Sequence, residues 1–99
     1  MILGELDRIA DIIRTRKPEL TEKYFIKQIG IFGSHVRGEE RTGSDIDILV
    51  EFEKPIDLFR FIDLEEELGD MTGKKVDLVS KKALKPYIGR EILKQVRYI

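Results

Sequence analysis

Apolar positions near the start of the chain recur at steps of three and four: Ile2, Leu3, Leu6, Ile9, Ala10 and Ile13. A helix gathers such positions on one face, so the pattern predicts an amphipathic helix to about Arg16. Pro18 breaks it, and the residues from Pro18 to Lys23 read as the start of a second short helical turn. The period then changes to two. Lys27 to Phe32 alternates around Ile29 and Ile31 and predicts a strand, which Gly33 ends. Ser34 suits the N-cap of a short helix to about Gly38, and the polar run Glu39 to Ser44 reads as a loop. Asp45 to Phe52 is the clearest strand, with Ile46, Ile48 and Val50 on its core-facing side. Ile56 to about Leu68 predicts the longest helix, closed near Gly69. Lys75 to Val79 predicts a third strand. Lys82 to Val96 predicts a closing helix with Leu84, Ile88, Ile92 and Val96 on one stripe, interrupted near its start by Pro86.

Helices and strands therefore alternate, with no repeat, low-complexity segment or linker between them. The expected fold class is α/β: one domain over residues 1–99, with a small mixed three-stranded sheet and flanking helices. At this length about two-thirds of the open chain's surface can be buried, enough for one core. No run approaches the ~18 apolar residues of a membrane span. The N-terminal stretch carries charges throughout and lacks a signal-peptide pattern, so a cytoplasmic location is expected. Cysteine is absent and His35 is the single histidine, which excludes a thiolate zinc site, a cysteine nucleophile and a multi-histidine metal site. Any chemistry must run on carboxylates, hydroxyls and bases. His35 is expected to be exposed in its turn and receives no role.

Charged residues make up 37% of the chain, yet the net charge is only −1, so general nucleic-acid binding is not indicated. The charge is uneven. Residues 1–73 hold ten basic and seventeen acidic side chains, a net of −7; residues 74–99 hold eight basic and two acidic, a net of +6. An acidic body suits a metal and a basic end suits an anion, although a solvated last helix accounts for the second equally well. On that reading Lys81, Lys82, Lys85 and Arg90 are available to a triphosphate or a partner.

The candidate chemistry centres on Asp45-Ile46-Asp47. Residues two apart on a strand project to the same face, about 7 Å apart. Two such carboxylates repel unless a cation or proton lies between them, and Mg²⁺ takes one or two carboxylates together with phosphate oxygens and water. An edge strand with an acidic solvent face is the plainer alternative. Gly33-Ser34, between a strand and a short helix, adds a second element. Glycine lets a phosphate approach the backbone, and free N–H groups at a helix start attract an anion. An ordinary serine-capped turn has the same composition. Asp77, in Lys75-Val76-Asp77-Leu78-Val79, is the third, because aspartate is disfavoured inside strands. If the third strand lies beside the second, Asp77 stands across from the pair. Three converging carboxylates suit two metal ions and in-line phosphoryl transfer.

Gly33-Ser34, ten residues, Asp45-x-Asp47 and a later Asp77 together resemble the nucleotidyltransferase superfamily that includes DNA polymerase beta. The runs Gly33-Ser34-His35-Val36-Arg37-Gly38 and Ser44 to Phe52 are more similar still to the minimal nucleotidyltransferases, with Val36 standing where such proteins often carry alanine. The resemblance implies that Asp45 and Asp47 bind magnesium. It implies that Asp77 completes the metal site and assists deprotonation of the acceptor. Gly33 and Ser34 would hold the β- and γ-phosphates of ATP, Arg37 could reach a phosphate or an acidic partner, and Ser44 would orient the loop or its neighbouring carboxylate. The chain has no length left for an acceptor domain, so the acceptor is expected on another chain. Minimal nucleotidyltransferases are antitoxins whose partners are HEPN-domain ribonucleases, and the implied reaction transfers AMP to a tyrosine of that toxin. A small-molecule transferase with an aminoglycoside-like acceptor, and a non-catalytic binding antitoxin, are the alternatives.

Overall fold

The computed structural model describes residues 4–38 and 45–99, without the side chains of Ser34 and Arg37. The polar loop expected at Glu39–Ser44, and Ser44 with it, lies outside the described residues.

Helix α1 runs unbroken over Glu5–Tyr24, with Pro18 inside it. The expected break does not occur. Proline inside a helix costs about 3 kcal/mol in a lost hydrogen bond and a ring clash. Beyond it, Leu20 and Tyr24 continue the buried stripe of Ile9 and Ile13, and burying two such side chains returns about 1.5–3 kcal/mol each. The helix stops at Phe25, which takes left-handed φ 57°.

Strand β1 (Ile26–Phe32) pairs antiparallel with β2 (Ile46–Phe52), and β2 pairs parallel with β3 (Val76–Ser80). Between β1 and β2 comes one short turn of helix, α2 (Ser34–Arg37). Helix α3 (Leu58–Thr72) follows β2. It starts two residues later than expected because Asp57 caps it, its carboxylate accepting from Arg60 N at 2.9 Å. It also runs past Gly69 and ends at Gly73, whose φ of 71° supplies the left-handed cap. Lys81–Ala83 form a 3₁₀ turn, and α4 begins only at Pro86 and ends at Gln95. Pro86 is therefore the first residue of this helix, where its missing N–H is harmless. Ile88, expected on the buried stripe, is exposed, and Gly89 is the buried residue of α4.

Among the described residues the sheet has four strands rather than three, in the order β3-β2-β1-β4. Strand β4 is only Arg97–Tyr98, paired antiparallel with Gly30 and Ile31 of β1. Two residues are too few to show a period, which is why alternation did not predict them.

One face of the sheet carries Ile29, Ile31, Ile46, Ile48, Val50, Val76 and Leu78 against Ile9, Ile13 and Leu20 of α1 and Leu64 and Leu68 of α3. Tyr24 closes one end of this layer. Its hydroxyl donates to Glu67 Oε2 at 2.7 Å, and Lys23 and Arg16 pair with the same carboxylate. At the β3 edge the carboxylate of Glu65, on α3, accepts from the backbone N–H of Leu78 at 3.0 Å. The second face is covered on the β1 side by the C-terminal segment. A Cβ on Gly30 would lie 2.7 Å from Val96 Cγ2, so glycine there lets Val96 settle on the strand. Among the described residues no helix is long and apolar enough to cross a membrane.

Candidate functional site

The second face of the sheet, at the N-terminal ends of β2 and β3, carries the candidate chemistry. Ile46, Ile48 and Val50 turn into the core, as the alternation predicts, and Asp47 therefore faces the other way. Its register partner on β1 is Phe32 and on β3 is Asp77. Register partners on adjacent strands share a face, with backbones about 4.8 Å apart. The parallel pairing of β2 with β3 thus brings Asp47 and Asp77 side by side, as expected for adjacent strands. Asp45 lies just before β2 and is exposed; the N–H of Ile46 donates to Lys75 O at 2.9 Å, which extends the ladder to that level. Asp47 is half-buried and Asp77 exposed, so the pair is open to solvent on one side.

Phe32 leads into Gly33, whose φ is +80°. A Cβ built on Gly33 would lie 2.1 Å from Asp47 Oδ2, well inside contact distance. Only glycine allows the turn to sit against this carboxylate. The Gly33 N–H donates to the side-chain oxygen of Gln95 at 3.1 Å, a residue at the end of α4. Gln95 carries no local sequence signal, because its partner is 62 residues away. Ser34 and Arg37 belong to α2, directly beyond Gly33, and their side chains lie outside the description. His35 is 2% exposed rather than exposed, and among the described residues neither ring nitrogen has a hydrogen-bond partner. One turn of helix packed against both β1 and α1 has no free side at that position, which overrides the polarity of the imidazole.

The donors available to a metal are carboxylate oxygens, the hard ligands that Mg²⁺ prefers, and the Gly33 turn leaves backbone close beside one of them. Asp47 and Asp77 fit an ion held by two carboxylates and completed by phosphate and water. Among the described residues no three acidic or histidine side chains form a metal-holding group; Asp45 lies exposed just ahead of the strand that carries Asp47. The basic end reaches this face as well: Lys81, just beyond β3, pairs with Glu51 of β2 at 3.7 Å. An apolar cavity of about 410 Å³, lined by Phe52, Pro55, Ile56, Leu58 and Phe61, lies at the opposite end of β2 and includes none of the candidate carboxylates.

The sequence pattern of the nucleotidyltransferase domain matches residues 6–99. The chain belongs to the nucleotidyltransferase family. This nucleotidyltransferase is 44% identical to a protein adenylyltransferase, MntA, of Thermococcus cleftensis, over 99 residues and the full length of both chains. Its fold is similar to a solved structure described as a candidate minimal nucleotidyltransferase, with TM-score 0.73 and 31% identity over 89% of this chain and 93% of that one. It is also similar to a toxin–antitoxin crystal structure with AMP-PNP, with TM-score 0.70 and 25% identity over 97% of this chain and 72% of that one. Those neighbours share the mixed sheet that sets Asp47 beside Asp77 here.

Proposed function

We propose that this nucleotidyltransferase is a magnesium-dependent protein adenylyltransferase. It transfers AMP from ATP to a tyrosine of a HEPN-type toxin ribonuclease and silences it as an antitoxin. The observation that carries the reading is the register pair Asp47–Asp77 beside a Gly33 turn too tight for any Cβ. The full-length likeness to a protein adenylyltransferase supports AMP transfer to protein. The likeness to a toxin–antitoxin structure with AMP-PNP supports both the nucleotide and the partner.

Asp45 and Asp47 would hold magnesium, with Asp77 completing the set, and bound magnesium would neutralise charge on the triphosphate. The Gly33-Ser34 turn would cradle the β- and γ-phosphates, with Arg37 one helical turn on. The phenolic oxygen of the acceptor attacks the α-phosphorus, and the bond to the β-phosphate oxygen breaks. Pyrophosphate leaves, and the phenolic proton passes to Asp77. The acceptor must come in line with the α-phosphate, so it sits on an exposed segment of the partner.

Co-expression with the protein encoded beside it, followed by intact-mass spectrometry, tests this. The partner should gain whole AMP residues, and Asp45→Asn with Asp47→Asn should abolish the gain. Calorimetry should find ATP binding that requires Mg²⁺ in the parent and not in the double variant, while Asp77→Asn should lose turnover more than binding. An unmodified partner that is nonetheless inhibited would indicate a non-catalytic antitoxin. Transfer to a small hydroxylated compound instead would indicate a small-molecule transferase.

A further inference from the structure

We propose that Gln95 is a positioning residue for the phosphate cradle. The inference rests on the nucleotide reading above and names a residue that the motif does not contain. Gly33 is held from two sides. Toward Asp47 there is no room for even one additional carbon, since a Cβ would fall 2.1 Å from Oδ2. From the other side the Gln95 side-chain oxygen accepts the Gly33 N–H at 3.1 Å. The turn has φ +80°, a conformation that glycine alone holds without strain but that glycine, being free in φ, also leaves easily. A flexible residue needs an external hold if the carboxylate beside it is to keep its place, and Gln95 supplies one.

Gln95 is itself anchored. It is the last residue of α4, and its amide Nε2 donates to Glu91 O one turn back at 3.3 Å. The next residue, Val96, seats on Gly30, and Arg97 and Tyr98 pair with Ile31 and Gly30. The glutamine therefore extends from a segment fixed to β1 only a few residues before the turn it holds. The consequence is that α4 is connected to the cradle by a hydrogen bond. The exposed Tyr87, Ile88 and Leu93 lie on that same helix.

Gln95→Met keeps the length of the side chain and removes the acceptor. ATP with Mg²⁺ should bind this variant about five- to tenfold more weakly, the loss expected for one hydrogen bond. AMP, which lacks the β- and γ-phosphates, should bind within twofold of the parent. A merely structural role would weaken both ligands together. Amide hydrogen exchange gives a second readout: the Gly33 N–H should lose protection in Gln95→Met and regain it in Gln95→Glu, which restores an acceptor oxygen, while Ile31 stays protected in both. Gln95→Ala repeats the comparison if the methionine disturbs folding. Unchanged ATP affinity with a deprotected Gly33, or equal losses for ATP and AMP, overturns the proposal while the nucleotide reading stands. No ATP binding by the parent overturns that reading, and this proposal with it.

Discussion

At Gly33 a single added carbon is enough to obstruct the turn. Gly33→Ala places a methyl group 2.1 Å from Asp47 Oδ2 and holds an L-residue at φ +80°. The left-handed backbone costs about 1–2 kcal/mol, and the clash must be relieved by moving either the turn or the carboxylate. Urea denaturation should show a loss of about 1–3 kcal/mol. ATP binding should fall by more than that stability loss accounts for, because Asp47 is displaced even in folded molecules. Parental ATP affinity in a folded Gly33→Ala would show that the tight turn has no part in binding. The adjacency of Asp47 and Asp77 was legible in the sequence because aspartate is unusual inside strands and both strands have a clear period. Gln95 was not, since a side chain that reaches across 62 residues leaves no periodic trace. The burial of His35 leaves no local trace for a related reason: it is decided by α1 and β1 packing around a one-turn helix, not by its neighbours in sequence.

Helix α1 keeps an internal proline that its packing tolerates. Pro18 is exposed, so Pro18→Ala sacrifices no buried contact and restores the hydrogen bond to Arg14 O. A gain of about 1–3 kcal/mol in urea denaturation is expected; no gain would mean that the helix is relaxed elsewhere around the ring. Beside the apolar packing of α1 on α3, Glu67 forms a polar contact between the two helices. The Tyr24 hydroxyl first, then Lys23 and Arg16, hold its carboxyl below the ordinary value of 4.5. A carboxyl depressed in the folded state stabilises at pH values above its unfolded value and loses that contribution as pH falls through the folded one. Glu67→Gln should therefore cost about 1 kcal/mol at pH 7, and its stability should fall less steeply than the parent's below pH 4.5. Equal acid slopes would remove Glu67 from the acid response. The long elements were legible from their periods, and β2 best of all, because Ile46, Ile48 and Val50 alternate with polar residues. The joins were less so. A proline that reads as a stop became the inside of α1 and the start of α4, according to how much apolar surface lay beyond it.

Across the whole molecule the strand order leaves two lateral margins, one beyond β3 and one beyond β4. On the β1 side the chain closes on itself: Tyr98 and Arg97 pair with Gly30 and Ile31, Ile99 N donates to Ile29 O at 2.9 Å, and Lys17 Nζ reaches Ile99 O at 2.6 Å. This closure was invisible in the sequence, because its strand is too short for a pattern and its value is wholly long-range. On the β3 side no strand follows among the described residues, and an unpaired backbone donor there is a template for another chain. The Glu65 carboxylate occupies the outward N–H of Leu78 at 3.0 Å and brings a negative charge to the margin. A second molecule seeking to extend the sheet meets an occupied donor and electrostatic repulsion. Glu65→Ala should leave the monomer folded but raise its rate of aggregation on heating, read by light scattering, whereas Glu66→Ala, one position along on the exposed side of α3, should not. Equal rates in both variants would show that the margin is protected by other means. One carboxylate bonded to the sheet margin at Leu78, beside Asp77 in the chain, would thus help keep a small sheet protein dispersed at high concentration, a colloidal role distinct from the one proposed for the aspartates.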